Sequence, residues 1–510
     1  MQFLKQEDAI RKLQLITLFL TALLSLGATE RTKVLAHYMP WYQNVSVSGY
    51  WGWHWTMNYF TPQTIDPEGR RSIASHYYPL TGPYDSRDID LLEYHVLLMK
   101  LAGIDGVIVD WYGIEDYHDY AALHEATEEL FYSIQEAELE FSICYEDRTV
   151  EAMVSGGHLN PSEALVHGTE VMEFMENTWF GDDCYVKLDG KPLLFSWGPL
   201  YFKSNSEWET LFSSLDPKPL LFTLDNKKFD TASGAFPWPP MHLSKNGLLS
   251  QVDLNLYLTQ FYQKSLVWEY RVATAFPGFH DIYEEAGLHD SYGYLDRENG
   301  DTFHNTLTLA MNYSPNILQI ATWNDFGEGT IIEPTLEFGY QYLEDLQNFR
   351  RETIDSTFNF DGDDLLLPLI IYELRKEYAY SYPVHNMLDD AFYHIIEGDI
   401  EAAKAIIYSL HPNSIEKDQP QSAEQFTVTE AFPNPFNPRT NFLIDIRSNQ
   451  PVDILIYDSS GSLIERKPNQ KFKIGQNQFQ WNGEHLSSGV YFFKFQQGNH
   501  LISKKVIHLK

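Results

Sequence analysis

The chain is 510 residues long, enough for two or three domains, and its 44% hydrophobic and 15% aromatic content is typical of a folded protein. It has 71 acidic and 36 basic residues, a formal net charge of -35, which argues against a nucleic-acid partner because phosphates are bound by basic surfaces. No spacing of cysteine and histidine indicates a structural metal, and we predict neither a metal nor a cofactor.

Residues 1–28 have the pattern of an export signal peptide. Two basic residues, Arg11 and Lys12, precede an apolar run over residues 13–26, and two small residues follow it. A short membrane anchor is the alternative, but about 14 apolar residues are fewer than the ~20 that a helix needs to cross a bilayer. No later segment is long and apolar enough, so we predict no stable transmembrane segment.

The chain contains two cysteines. Cys144 lies in a strand-like apolar run, Phe-Ser-Ile-Cys-Tyr, which indicates a buried thiol rather than a reactive one. The sequence leaves open whether Cys144 forms a disulfide with Cys184.

Strands and helices alternate over residues 31–350. Apolar runs predict strands at 33–38, 106–110, 140–145, 192–197, 220–224, 234–238, 272–276 and 317–322. Helical spacing of apolar residues predicts helices at 89–102, 120–138, 161–178, 255–270, 302–311 and 338–350. Eight such units imply a parallel sheet and suit a (β/α)8 TIM barrel, placed at residues 30–352. The alternative, an open doubly wound sheet, would need a glycine-rich loop where the chain has Met-Pro-Trp-Tyr.

The active site of such a barrel lies at the carboxyl ends of its strands. The last predicted strand is followed by two carboxylates, Asp325 and Glu328, on a loop that contains Gly327 and Gly329. We predict that these acids form a catalytic acid/base pair acting on a sugar, with ordinary solvated loop residues as the alternative. Further rings and carboxylates at strand ends and in the first loop are predicted to bind substrate, with core packing as the alternative for the rings: Tyr38, Trp41, His54, Trp55, Asp110, Trp111, Glu146, Trp197 and Trp238.

The remainder of the chain divides into three predicted parts. Residues 353–413 form two or three amphipathic helices, at 365–378 and 387–410, that support the barrel or act as a spacer. The polar residues 414–425 form a linker. Residues 426–510 form a small all-β sandwich with strands at 442–446, 452–457, 478–481 and 490–495. Hairpin turns are predicted at 458–461 and at Asn482-Gly483.

Seven motifs run almost the length of the predicted barrel. They lie at 37–42 (His-Tyr-Met-Pro-Trp-Tyr), 53–55 (Trp-His-Trp), 75–79 (Ser-His-Tyr-Tyr-Pro), 103–106 (Gly-Ile-Asp-Gly), 189–192 (Asp-Gly-Lys-Pro), 276–279 (Phe-Pro-Gly-Phe) and 323–334. Together they resemble glycoside hydrolase families 99 and 71, the families of endo-α-mannosidases and endo-α-mannanases and of α-1,3-glucanases.

The resemblance implies roles for the two acids. In family 99 the corresponding loop carries two glutamates, one a base toward the sugar's own 2-hydroxyl, giving retention through an internal epoxide, and the other the general acid. Asp325 takes the base position and Glu328 the acid position. The aspartate retracts the carboxylate by one bond of about 1.5 Å, and Trp-Asn-Asp-Phe-Gly-Glu is closer to the family 71 form. The resemblance also adds substrate-binding residues: Phe279, Trp323, Asn324 and Glu333.

The C-terminal region carries two further motifs, at 431–438 (Ala-Phe-Pro-Asn-Pro-Phe-Asn-Pro) and 486–492 (Leu-Ser-Ser-Gly-Val-Tyr-Phe), and a basic pair near its end, Lys504-Lys505. These resemble the sorting domains of the type IX secretion system. The resemblance implies that the secretion machinery is a partner and that the protein is exported through the periplasm, then secreted or attached to the outer surface. A carbohydrate-binding or spacer sandwich is the alternative.

We therefore predict a secreted glycoside hydrolase. It would cleave internal α-linkages in a mannan- or glucan-type polysaccharide or glycan, by carboxylate acid/base catalysis and with retention. One alternative is a non-catalytic glycan-binding protein on the same barrel, with Asp325 marking a decayed site. Another is an enzyme that acts on glycan during cell-surface polysaccharide assembly, although export argues against a cytoplasmic form of that role.

Overall fold

A computed structural model of the protein describes residues 31–410 and, further along the chain, residues 426–428, 431, 433–434, 436–446, 451–458, 463–497 and 500–510. The predicted signal peptide and the predicted linker lie outside the described residues. The chain divides into two units on either side of Leu410, and each is described by itself.

Eight parallel strands form a barrel in the first unit, which confirms the predicted fold class. They are β1 (Lys33–Tyr38), β2 (Gly106–Trp111), β3 (Glu140–Tyr145), β4 (Lys191–Ser196), β5 (Leu220–Leu224), β6 (Ala232–Phe236), β7 (Val272–Ala275) and β8 (Ile317–Ile320). The strands pair in the order β6-β5-β4-β3-β2-β1-β8-β7, and β6 lies beside β7, so the sheet nearly closes. Because every pair in this order is parallel, all eight carboxyl ends lie on one rim, the carboxyl rim.

Helices connect most of the strands. They are α1 (Trp53–Thr56), α2 (Ile89–Ala102), α3 (Tyr120–Glu136), α4 (Arg148–Ser155), α5 (Ala164–Met175), α6 (Asn205–Leu211), α7 (Gln251–Ser265), α8 (Asp301–Met311) and α9 (Gln341–Phe349). Asp88 caps the N-terminus of α2, because its side chain accepts a hydrogen bond from the Asp90 amide. Helix α6 was not predicted, although Ser204 and Glu207 form a capping box that marks its start. Within the described residues, no helix has the length and apolarity needed to cross a membrane.

Three more helices complete the first unit. They are α10 (Leu367–Glu377), α11 (Tyr382–Ile396) and α12 (Ile400–Leu410). Their buried side chains, among them Leu374 and Ile395, belong to the same hydrophobic core as the barrel. Arg375 of α10 also forms an ion pair of 2.7 Å with Glu93 of α2. These helices pack on the barrel, while the predicted boundaries at 352 and 413 stay predictions.

The second unit contains two antiparallel sheets that share a core of Phe442, Trp481, Phe493 and other apolar side chains. Its strands are β9 (Phe426–Val428), β10 (Arg439–Ile446), β11 (Val452–Asp458), β12 (Leu463–Gln470), β13 (Gly475–Asn482), β14 (Gly489–Gln497) and β15 (His500–His508). The sheets have the orders β9-β10-β13 and β12-β11-β14-β15. Strand β12 was not predicted because it is polar and contains Pro468, which an edge strand tolerates.

One predicted hairpin turn in this unit is wrong. Asn482-Gly483 ends β13, and the following strand, β14, belongs to the other sheet. The Gly483 amide instead donates a hydrogen bond to the carbonyl oxygen of Pro438, at 2.8 Å. The pair therefore starts a connection between the sheets. Residues 459–462, which include most of the other predicted turn, lie outside the described residues.

Candidate active site

A cavity of about 500 Å³ opens at the carboxyl rim of the barrel. Strand ends and the loops that follow them supply its walls, as the position of an active site in such a barrel requires. Eight of the predicted site residues line it: Trp41, His54, Asp110, Glu146, Trp197, Trp238, Asp325 and Glu328. The structure therefore brings the two predicted catalytic acids together with two further carboxylates and several rings.

The loop after β8, residues 321–335, presents the two acids through hydrogen bonds of its own backbone. The amide of Asp325 donates to Thr322 Oγ1 at 2.8 Å, and the amide of Glu328 donates to Asp325 Oδ1 at 3.0 Å. The Gly329 amide donates to the carbonyl oxygen of Asp325 at 2.9 Å. This tight turn directs both carboxylates into the same cavity.

Gly329 allows the loop after β8 to pass close to the neighbouring segment. Its φ of 65° lies in the left-handed region, and a Cβ atom there would be 2.6 Å from the carbonyl oxygen of His280. The His280 amide donates to the carbonyl oxygen of Glu328 at 2.8 Å, and the Ile282 amide donates to that of Gly327 at 3.0 Å. Backbone hydrogen bonds to Gly327 and to Glu328 itself therefore hold the acid in place.

Asn324 and Glu333 anchor the loop from below and do not line the cavity, which corrects their assignment as substrate-binding residues. Both are fully buried. Asn324 Oδ1 accepts from the Met39 amide at 2.8 Å, and its Nδ2 donates to the Met39 carbonyl oxygen at 3.0 Å. Glu333 Oε2 accepts from the Tyr84 hydroxyl at 2.7 Å, and its Oε1 lies 3.3 Å from His95 Nε2. Their role is to position the loop.

Removal of the Tyr84 hydroxyl is expected to destabilise the protein. The variant Tyr84→Phe leaves Glu333 Oε2 buried without its donor, at a cost of about 1–3 kcal/mol in the free energy of unfolding. Denaturant unfolding followed by circular dichroism measures this change. The matched control is Tyr59→Phe, because the Tyr59 side chain is 64% exposed. Equal unfolding midpoints for the two variants would contradict the anchoring role of Glu333.

Five predicted substrate-binding rings lie outside the cavity, and their assignment is corrected. Each is at most 2% exposed: Tyr38, Trp55, Trp111, Phe279 and Trp323. The Tyr38 hydroxyl shares a hydrogen bond of 3.0 Å with His95 Nδ1, and Trp55 Nε1 donates to the Tyr84 carbonyl oxygen at 2.7 Å. These rings pack in the core, which is the alternative that the sequence left open.

The alternation of side chains at strand ends explains two of these corrections. At the end of β2, Asp110 and Tyr112 line the cavity, while Trp111 between them packs against rings outside the barrel. At the end of β1, His37 lines the cavity and Tyr38 contacts α2. Counting by two along each predicted strand would have found Tyr112 and His37 and excluded the rings beside them.

Other cavity residues were missed because they lie on loops or at the first residue of a helix. They include Tyr42, Trp53, Tyr120, Arg148, Tyr283 and Tyr292. Tyr42 and Trp53 belong to motifs that the sequence displays, whereas no local pattern indicates Tyr283 or Tyr292, which come from the loop after β7. Among the predicted residues that line the cavity, the rings of Trp41 and His54 stack with centroids 4.2 Å apart. Flat aromatic surfaces of this kind are suited to contact with the face of a sugar ring.

The two predicted catalytic acids differ in acidity. Burial raises the pKa of Asp325 to about 6, although the amides of Glu328 and Gly327 partly offset this effect. Burial raises the pKa of Glu328 well above its usual range, and the nearby charge of Asp325 raises it further. Near neutral pH the geometry therefore favours an ionised Asp325 beside a protonated Glu328.

Burial also sets the charge of other cavity residues. It lowers the pKa of His37 to about 4 and that of His54 to about 3, so both imidazoles are neutral at neutral pH. It raises the pKa of Glu146 to about 7, an effect that the nearby Arg148 partly offsets. The cavity is therefore rich in carboxyl groups whose charged forms are disfavoured.

The raised pKa of Glu328 predicts how stability depends on pH. The folded chain holds the proton of the Glu328 carboxyl more tightly than the unfolded chain does. The contribution of this group to the free energy of unfolding is therefore fully present below its unfolded pKa, and it is lost as the pH rises through its folded pKa. The neutral variant Glu328→Gln is therefore expected to have a higher Tm than the wild type at pH 8. The difference should disappear at pH 4, as measured by calorimetry. A Tm difference that is the same at both pH values would contradict the raised pKa.

The fold and the cavity define a TIM barrel protein with a paired-carboxylate site at its carboxyl rim. The chain is 25% identical over 328 residues to a glycoprotein endo-α-1,2-mannosidase-like protein of Danio rerio, a match that covers 58% of this chain and 69% of that protein. It is 24% identical over 328 residues to the glycoprotein endo-α-1,2-mannosidase of Rattus norvegicus, covering 59% of this chain and 67% of that one. The two relatives confirm the resemblance predicted from the barrel motifs.

Parts of the chain also match a solved structure and a family model. The GH99 endo-α-mannosidase from Bacteroides thetaiotaomicron matches with 18% identity and a TM-score of 0.48, and the match covers 62% of this chain and 97% of that chain. In the second unit, residues 430–509 match the family described as the secretion system C-terminal sorting domain. This match confirms the predicted sorting domain and the predicted export by type IX secretion, which leaves the protein secreted or on the cell surface.

Proposed function

We propose that the barrel is an exported glycoside hydrolase that cleaves internal α-linkages in a mannan-type glycan. The observation that carries this proposal is the pairing of Asp325 and Glu328 in one buried, ring-lined cavity with unequal proton affinities. Two carboxyl groups of this kind, one protonated and one ionised, are what hydrolysis of a glycosidic bond requires. The names of the curated relatives support an endo-acting enzyme and a substrate that contains α-linked mannose.

The protonation states assign a role to each acid. Glu328 holds a proton near neutral pH and would give it to the glycosidic oxygen as the bond to the anomeric carbon breaks. Asp325 is ionised and would accept the proton of the attacking hydroxyl. In the retaining course that the family 99 resemblance implies, this hydroxyl is the sugar's own 2-hydroxyl. It attacks the anomeric carbon to form an epoxide, which water then opens at that carbon.

The rings of the cavity support a sugar ligand. The stacked pair of Trp41 and His54 lines the cavity, as do Trp197 and Trp238, which meet edge to face with centroids 4.4 Å apart. Such surfaces bury the apolar faces of sugar rings, while carboxyl groups bind their hydroxyls. Trp53, which is 40% exposed, meets His54 edge to face with centroids 5.0 Å apart and extends this surface to solvent, which suits a chain that continues beyond the cavity.

Incubation of the purified protein with α-mannan, α-1,3-glucan and N-glycans tests the proposal. The expected result is cleavage of the mannose-containing substrates to oligosaccharides, scored by chromatography. NMR of the first product is expected to show a retained anomeric configuration. Cleavage of α-1,3-glucan alone would overturn the mannan assignment. Binding without cleavage on every substrate would overturn the enzyme assignment and favour a glycan-binding protein.

A further inference from the structure

A second group of buried side chains lies at the floor of the cavity. His37, Asp110 and Cys144 come from the ends of the adjacent strands β1, β2 and β3 and face inward. Asp110 and Cys144 are direct register partners, and each of the three residues is at most 2% exposed. One potential ligand atom from each residue lies within 4.8 Å of the other two.

Two polar atoms in this group are fully buried and have no hydrogen-bond partner, namely His37 Nε2 and Asp110 Oδ1. Buried polar atoms are almost always paired, because an unpaired one loses its hydration without compensation. His37 Nδ1 lies 3.5 Å from Gln319 Oε1, an acceptor, and this contact favours the tautomer that has its proton on Nδ1 and a free lone pair on Nε2. A histidine held in this way by a neighbour on its other nitrogen is typical of a metal ligand.

We propose that His37, Asp110 and Cys144 bind one divalent transition-metal ion of the zinc class. The site combines an imidazole nitrogen, a carboxylate oxygen and a thiolate sulfur, the donor types that zinc accepts. In a tetrahedral site with metal–ligand bonds of about 2.0–2.3 Å, the ligand atoms are about 3.3–3.7 Å from one another. To bind the ion, the three ligand atoms would therefore have to approach one another by at most about 1.5 Å. His37 and Asp110 line the cavity, so a fourth position faces it and would take a water or a ligand hydroxyl.

The chemistry of the ligands and the charge of the cavity both favour this ion. Calcium and magnesium prefer six or more oxygen ligands, whereas a thiolate selects a softer ion. The cavity also holds the carboxyl groups of Asp110, Glu146, Asp325 and Glu328, and among the residues that line it Arg148 is the cationic side chain. With a single cationic side chain in this lining, little charge repulsion opposes a bound cation.

Cobalt titration of the chelator-treated full-length protein tests the proposal. We expect one equivalent of Co²⁺ to bind and to produce a sulfur-to-cobalt charge-transfer absorption, which Zn²⁺ abolishes by displacement and Mg²⁺ does not. The variant Cys144→Ser should lose this absorption and bind Co²⁺ at least about 10-fold more weakly. The matched control is Cys184→Ser, because Cys184 is the second free cysteine and does not line the cavity.

The metal readouts do not depend on hydrolysis. Absence of stoichiometric Co²⁺ binding would overturn the site, as would an absorption that survives Cys144→Ser or disappears in Cys184→Ser. If Cys144→Ser does not fold, Asp110→Asn and His37→Gln provide the test, and an unchanged Co²⁺ affinity in both would overturn the proposal. A protein that binds Co²⁺ through Cys144 and cleaves no glycan would retain the metal site and overturn the hydrolase.

Discussion

Replacing Glu328 by glutamine is expected to lower kcat/KM for glycan cleavage by about 10²- to 10⁴-fold, the usual contribution of a general acid. Glutamine keeps the shape of the side chain but has no proton to give to the departing oxygen. The loss should fall on kcat, because the proton transfer occurs in the transition state. Initial rates over a range of substrate concentrations measure both parameters.

The control for this experiment is Glu284→Gln. Glu284 is exposed on the loop after β7 and does not line the cavity, so its variant should retain wild-type kinetics. The pH-dependent gain in Tm described above shows at the same time that Glu328→Gln is folded. Full activity of Glu328→Gln would show that Glu328 is not the general acid, even if the protein proves to be a hydrolase.

The second large effect is expected at Asp325. In the wild type, kcat/KM should fall as the pH drops below about 6, because the raised pKa of Asp325 then leaves its carboxyl protonated and unable to accept a proton. Asp325→Asn should lower kcat/KM by about 10²- to 10⁴-fold at neutral pH. In this variant, the kcat/KM of any residual activity should no longer fall as the pH drops below about 6. Rates measured between pH 4.5 and 9 test both statements.

Asp325→Glu separates charge from position at the same site. It keeps an ionisable carboxyl group and is expected to retain an acid limb, while its extra methylene displaces the carboxylate by about 1.5 Å. Activity closer to that of the wild type than to that of Asp325→Asn would show that the carboxylate is the required group. Wild-type rates in Asp325→Asn would contradict a base at this position.

The fold could be predicted because its signals are local. Eight apolar runs separated mostly by amphipathic segments identify the strands and their parallel arrangement, and Asp88 and Gly103 mark the ends of α2 at the predicted positions. The position of Asp325 and Glu328 at the carboxyl rim followed from chain order alone. The polar β12 and the short α6 were missed because edge strands and short helices carry little apolar pattern.

Which side chains face the cavity was decided by the tertiary structure. Asn324 and Glu333 belong to the same motif as the two acids, yet they turn to bond Met39 and Tyr84, because buried polar groups must be paired. Tyr283 enters from a loop whose course depends on contacts made elsewhere in the barrel.

By itself, the sequence determined the barrel, the place of the Asp325–Glu328 pair and the sorting domain, since each depends on short-range pattern or motif. The tertiary structure decided the raised pKa values, which come from burial, and the inward group of His37, Asp110 and Cys144. Those three residues are far apart in the chain, and only the pairing of β1, β2 and β3 brings their side chains within reach of one ion.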